Sequence, residues 1–161
     1  YTTINRTIYL KKNAAVAFTK LYNAAKKVGY NIKGVSGYRN YSLQKYLFNS
    51  YVSSRGLTAA SKCSARPGKS EHQTGLALDV SCSSERYTLN KSFGSTAEGK
   101  WLSKNAYKYG FIIRYSKGKE SITGYQYEPW HIRYVGVKAA KKIYNSNITL
   151  EEYLGYYKHI K

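Results

Sequence analysis

Within twelve consecutive residues, Ser70-Glu71-His72-Gln73-Thr74-Gly75-Leu76-Ala77-Leu78-Asp79-Val80-Ser81, the chain places one of its three histidines and its only aspartate. An imidazole and a carboxylate held together suit a divalent metal, and Zn²⁺ accepts both. Two more groups recur downstream, in Tyr127-Glu128-Pro129-Trp130-His131. Three protein ligands, an open position and a nearby carboxylate base form a recurrent catalytic zinc arrangement. His72, Asp79 and His131 with Glu128 can supply it. The spacing alone does not decide it, since a histidine seven residues before an aspartate also arises by chance.

The elements that must position these groups follow from the pattern. Leu76, Leu78 and Val80 alternate with Ala77, Asp79 and Ser81, so a strand would carry Asp79 on the face opposite its apolar row. Gly75 lets the chain bend between His72 and that strand. A regular strand over Tyr125 to Tyr134 would put Glu128 and His131 on opposite faces. Pro129 cannot donate to a ladder, so a bulge or an edge is expected there, and both side chains need that distortion to reach one metal.

Around these segments, residues 1–12 read as extended. Asn13 is a plausible cap for an amphipathic helix with Ala14, Phe18, Leu21, Ala25 and Val28 inward, stopped by Gly29. A short strand is expected from Asn31 to Ser36. A second helix, about 42–55 and capped by Ser42, would turn Leu43, Tyr46, Leu47 and Val52 inward. Residues 56–71 read as loop, and 83–95 as irregular. A helix from Glu98 to Tyr109 buries Trp101, Leu102 and Ala106. A strand covers Phe111 to Tyr115, a charged loop 116–124, a helix Val137 to Asn145, and Thr149 caps a last short one. The order predicts an α+β fold: a small, mainly antiparallel sheet with helices packed on one side of it, and the metal site at the sheet face.

The 161 residues suggest one domain, 1–161, with a real core. Lys and Arg number 27 against eight acids, a formal charge of +19. Such a field favours polyanionic partners and says nothing about fold. The aromatics, among them nineteen tyrosines, are scattered without a nucleic-acid motif, so no nucleic-acid partner is expected. No apolar run approaches membrane-span length. Tyr1 stands where an initiator methionine would, so a processed chain is expected, after loss of an N-terminal signal or anchor. Cys63 and Cys82 bracket the organising stretch. A disulfide between them would close a loop of about 20 residues, worth about 3 kcal/mol in the chain-entropy model, and would imply an oxidising location. Two free cysteines, or two zinc ligands joining His72, are the alternatives.

Taken together, Ser36-Gly37-Tyr38-Arg39, Gln44, the run Ser64-Ala65-Arg66-Pro67-Gly68-Lys69-Ser70-Glu71-His72 through Asp79, and Glu128-Pro129-Trp130-His131 resemble the VanY-type D-alanyl-D-alanine carboxypeptidases. These are zinc peptidases of the bacterial cell wall, and the resemblance runs from about residue 10 to residue 145. It implies that His72, Asp79 and His131 are the zinc ligands, and that Glu128 is the general base taking a proton from the zinc-bound water. It matches Arg39 to an arginine that steadies the oxyanion or substrate carbonyl. Ser70 and Gln44 match substrate contacts. Ser64 and Arg66 are candidates for holding a terminal carboxylate, and Trp130 either walls the pocket or is structural. Glu71 is read as structural or as supporting a ligand, and His159 as solvated.

The expected activity is hydrolysis of the terminal D-Ala-D-Ala bond of peptidoglycan stem peptides. The alternatives are an L,D-carboxypeptidase, an L-Ala-D-Glu endopeptidase of the same fold, or a non-catalytic wall-binding module. The expected setting is extracellular or wall-associated, as a monomer, with the lysines retaining the protein on an anionic wall polymer.

Overall fold

The computed structural model describes residues 7–156. Four strands form one antiparallel sheet: β1 (Lys33–Ser36), β2 (Ala77–Ser81), β3 (Phe111–Tyr115) and β4 (Glu128–Tyr134), in the order β1-β2-β4-β3. The helices are α1 (Lys12–Lys27), α2 (Tyr41–Arg55), α3 (Leu57–Cys63), α4 (Ala97–Asn105), α5 (Glu120–Thr123), α6 (Val137–Ser146) and α7 (Leu150–Leu154). Single 3-10 turns occupy Glu71–Thr74, Ser83–Glu85, Lys91–Ser95 and Ala106–Tyr109.

Strand alternation sorts the sheet into two faces. Leu78 and Val80 of β2 join Trp130 and Ile132 of β4 and Phe111 of β3 in the main core. Leu21 and Ala25 of α1 and Leu102 of α4 close on them. Asp79 lies directly opposite His131 across the β2–β4 pair, on the other face. That face is not bare: Ala140 and Ile143 of α6 pack with Ile112 and Leu150 in a second cluster at its β3 end. Helices therefore cover parts of both faces, where the sequence pattern suggested one. The central pair β2 and β4 is flanked on each side, so the two facing ligand candidates stand on the best-supported backbone.

The bulge expected at Pro129 is present. Ile113 pairs with Ile132, but Tyr115 pairs with Glu128, so four residues of β4 span what two of β3 span. This turns Glu128 out of strict alternation and toward His131.

Three local readings are corrected. Residues 57–63 form α3 rather than loop; seven residues are too few for periodicity to reveal. The inward face of α2 is Gln44 and Phe48, four apart. Leu43 is 45% and Tyr46 70% exposed, so that face is rotated from the expected one. Its cap is Asn40, whose side chain accepts from the Leu43 amide, not Ser42. Thr149 does cap α7, in a reciprocal capping box with Glu152.

Cys63 and Cys82 are free thiols, not a disulfide. Cys82 continues the parity of Leu78 and Val80 into the main core, its Sγ 3.1 Å from Ser84 Oγ. Cys63 ends α3 on the Asp79 side, its Sγ turned to the carbonyls of Ala59 and Ala60. Cys82 thus belongs to the main core, while Cys63 lines the cleft that holds Asp79. Neither joins the metal-ligand cluster. The argument they gave for an oxidising location goes with the bridge. His159 lies outside the described residues. No helix among the described residues is long and apolar enough to cross a membrane.

Candidate active site

Three buried side chains from separate segments meet on the sheet face. Asp79 and His131 come from facing strand positions, and His72 from the 3-10 turn Glu71–Thr74. Ser70 caps that turn by accepting from the His72 amide, and Gly75 ends it at φ +70°, in the left-handed region that suits glycine. His131 Nδ1 lies 3.0 Å from Asp79 Oδ1, and His72 Nε2 lies 3.3 Å from Asp79 Oδ2. One potential ligand atom from each residue lies within 4.8 Å of the other two.

The donor chemistry fits a dication. His72 Nδ1 is 2.7 Å from the Gly37 carbonyl oxygen, which can only accept. Nδ1 therefore carries the proton and Nε2 turns a lone pair toward Asp79. Gly37 is held in turn against residues 8 and 9, where a β-carbon would meet the Tyr9 carbonyl oxygen at 2.6 Å. Burial pushes His72 below its ordinary pKa, against the attraction of Asp79. Burial would raise Asp79, but the two histidines hold it well below the carboxylate range. Burial would lower His131, yet its contacts with the carboxylates of Asp79 and Glu71 raise it to about 9. In the metal-free protein His131 thus holds a proton where a metal would sit.

Glu128 Oε2 stands 3.9 Å from His131 Nδ1. Burial pushes its pKa up to about 7, more than His131 pulls it down, and Asp79 adds to the rise. A carboxylate poised near neutrality at the edge of a metal triad is suited to accept and return a proton. Arg39 donates through Nη2 to Asp79 Oδ2 at 2.6 Å and through Nε to Ser36 Oγ at 3.0 Å. Its guanidinium is thus fixed beside the triad.

The site opens into a cleft of about 370 Å³ that includes Arg39, Gln44, Ser64, Ser70 and Trp130. Gln44 is buried, its amide donating to Ser64 Oγ at 3.3 Å and to the Ala65 carbonyl at 2.8 Å, with Arg39 Nη1 3.4 Å from its Oε1. It holds the loop and Arg39 in place more than it offers itself to a ligand. Trp130 reaches the cleft and also packs in the main core, so both readings of it hold. Arg66 is exposed and does not line the cleft; its loop turns it outward, and the structure gives it no part in the site. The sequence reading missed Tyr51, Arg55, Tyr115 and Tyr125, which line the cleft. Gln44, Tyr51 and Arg55 recur at helical spacing and could have been found; Tyr115 and Tyr125, stacked at 4.5 Å, are hidden among nineteen tyrosines.

The VanY family profile, described as D-alanyl-D-alanine carboxypeptidase, matches residues 7–137. The chain belongs to the VanY family. It is 58% identical over 145 residues to YodJ of Bacillus subtilis (strain 168), covering 90% of this chain and 53% of YodJ. Among solved structures it resembles the LD-carboxypeptidase LdcB, with a TM-score of 0.86 and 56% identity over 92% of this chain and 70% of that one. It also resembles the vancomycin-resistance D,D-pentapeptidase VanY in complex with Zn(II), with a TM-score of 0.80 and 36% identity over 90% of this chain and 83% of that one. The chain spans about half the length of several relatives it matches. Within that family membership, its His72, Asp79 and His131 form a candidate metal site.

Proposed function

We propose that the protein is a zinc-dependent carboxypeptidase that removes the C-terminal D-alanine from peptidoglycan stem peptides. The observation that carries this reading is the buried His72–Asp79–His131 triad with Glu128 3.9 Å from one of its ligand nitrogens. His72 Nε2, an Asp79 oxygen and His131 Nδ1 would hold the zinc. When bound, Zn²⁺ supplies Lewis acidity that polarises the scissile carbonyl and acidifies water. Glu128, near neutrality, takes the proton of the attacking water and returns it to the leaving amine of D-alanine. Arg39, fixed by Ser36 and Asp79, offers a preorganised cation to the developing oxyanion. Tyr51, Tyr125 and Trp130 wall the peptide from solvent.

Two bonds end in D-alanine, and the first substrate we assign is the L,D bond of tetrapeptides. The likeness to the LD-carboxypeptidase LdcB, at 56% identity against 36% for the D,D-pentapeptidase, supports it. The D,D bond of pentapeptides is the second reading, supported by the family profile. Either substrate implies an extracellular or wall-associated setting, where the charge of +19 would hold the protein on an anionic wall polymer.

The test is mass spectrometry of defined tetrapeptide and pentapeptide muropeptides after incubation with zinc-loaded protein and with a chelator control. Loss of one alanine from the tetrapeptide, abolished by chelator, is the expected result. Loss from the pentapeptide alone makes the enzyme D,D-specific. Cleavage after L-alanine, or no product with zinc present, overturns the proposal.

A further inference from the structure

His131 has a second carboxylate behind it that the chemistry above does not use. Its Nε2, the ring nitrogen away from Asp79, lies 3.5 Å from Glu71 Oε2. That is too long for a hydrogen bond, and these two atoms are the buried side-chain polar atoms without a partner among the described residues. Buried polar atoms are rarely left unpaired, so a facing pair of them asks for an explanation. The other oxygen of Glu71 is fully engaged. Oε1 accepts from Arg114 Nε at 2.8 Å and lies 2.9 Å from Arg133 Nη1. Arg114 in turn is gripped from its far side by Glu151, through Nη1 at 3.0 Å and Nη2 at 2.6 Å. This two-pronged geometry fixes a guanidinium in direction as well as in distance. The Arg114 guanidinium also lies 4.9 Å over the ring of Tyr115, and that ring lies 5.0 Å from His131. A continuous chain of contacts therefore runs from α7 to the metal triad: Glu151, Arg114, Glu71, His131. Its side chains are only 21%, 10%, 14% and 6% exposed.

We propose that Glu71 is a positioning residue for His131, and that Arg114 and Glu151 of α7 set its orientation. With a metal on Nδ1, Nε2 would keep its proton and Glu71 Oε2, 3.5 Å away, is the acceptor it faces; a small closure of that gap would leave the Nδ1 lone pair aimed at the point that His131 shares with Asp79 and His72. Glu71 is to His131 what the Gly37 carbonyl is to His72: each ligand ring is held by its distal nitrogen. Arg114 and Arg133, both on Oε1, fix the direction in which Glu71 points. The family match ends at residue 137, so Glu151 places a residue from beyond it in the support of the site. The inference rests on the zinc reading above.

The test uses the whole chain, with zinc affinity measured by chelator competition on wild type, Glu71→Gln and Glu151→Gln, and with ¹⁵N spectra of the His131 ring in zinc-loaded wild type. The spectra should show Nε2 protonated and Nδ1 metallated. Glu71→Gln should weaken zinc binding roughly 10- to 100-fold, the usual effect of losing such a partner, and Glu151→Gln should weaken it less, in the same direction. A purely structural role would lower the Tm of the metal-free variants and leave the affinity of the folded fraction unchanged. Wild-type affinity in both variants, or a ring metallated through Nε2, overturns the proposal. Should Glu71→Gln fail to fold, the wild-type spectra and Glu151→Gln decide. If wild type itself binds no zinc, the zinc reading fails and the inference with it; if wild type binds and the variants bind equally, only the inference fails.

Discussion

Loading the metal must cost the site a proton. Without metal, the contacts with Asp79 and Glu71 outweigh burial and hold His131 at about 9. At neutral pH its ring is therefore a cation. His72 is pushed below its ordinary value and Asp79 is ionised, so neither has a proton to surrender. Glu128, at about 7, is the remaining nearby group that can release one, and Glu128→Gln removes it. In that variant zinc displaces the single Nδ1 proton of His131, so affinity rises as pH rises and the gain stops above about 9. Between pH 6 and pH 7 the expected gain is about tenfold, or ~1.4 kcal/mol. Calorimetry in buffers of different ionisation enthalpy should find about one proton released per zinc in Glu128→Gln. Wild type should release more, because a dication beside Glu128 drives its proton off as well. A flat affinity profile in Glu128→Gln, with heats independent of buffer, would refute the reasoning: it would mean that His131 is already neutral before the metal arrives.

Four further outcomes are expected. Peptidase activity should fall as pH drops through an acid limb at or below about 7, since Glu128 must be ionised to act and bound zinc can only lower its value; Glu128→Gln should lose roughly 10²–10⁴-fold in kcat while still binding zinc. Arg39→Ala should cost roughly 10²–10³-fold in kcat with zinc stoichiometry unchanged, checked by metal analysis of the same sample. A thiol reagent should label Cys63 and spare buried Cys82 in the native protein, and a reducing agent should leave Tm where it is; a Tm drop on reduction would restore the disulfide. Thr149→Ala should cost about 1 kcal/mol in denaturant unfolding by breaking the capping box of α7.

The grouping of His72, Asp79 and His131 was legible because aspartate and histidine are rare in this chain, whereas Glu128 was marked by its place three before His131 and Arg39 by the family resemblance alone. With one aspartate and three histidines in the chain, few assignments compete. Pro129 announced the bulge that brings Glu128 to His131, since a missing amide is a local signal with a tertiary effect. The cysteines show the limit. Their separation gives the entropy of a loop but not the side of the sheet on which each end lies; carrying the parity of Leu78 and Val80 one step further would have put Cys82 in the core. On α2 the deceptive feature was composition. Leu43 and Tyr46 look like core and are exposed, while the polar Gln44 is 1% exposed because its amide is satisfied by Ser64, Ala65 and Arg39. Glu71 could be seen to neighbour His72, but its partners Arg114 and Glu151 lie 43 and 80 residues further on in the chain, beyond the reach of any local pattern.

The placement of Asp79 and His131 on the two middle strands has a consequence for how the protein meets its metal. Amides in the centre of a small sheet open to solvent only when the whole domain unfolds, whereas frayed edges open often. Two of the three candidate ligands are therefore carried by backbone expected to exchange slowly, and the third rides on a short turn tied to it by Gly37 and Gly75. The scaffold stands before the ion comes and after it leaves. On the zinc reading proposed above, the ion would enter as a guest in a finished cage rather than as the nail that holds it together, and stripping it should abolish activity while leaving Tm little changed.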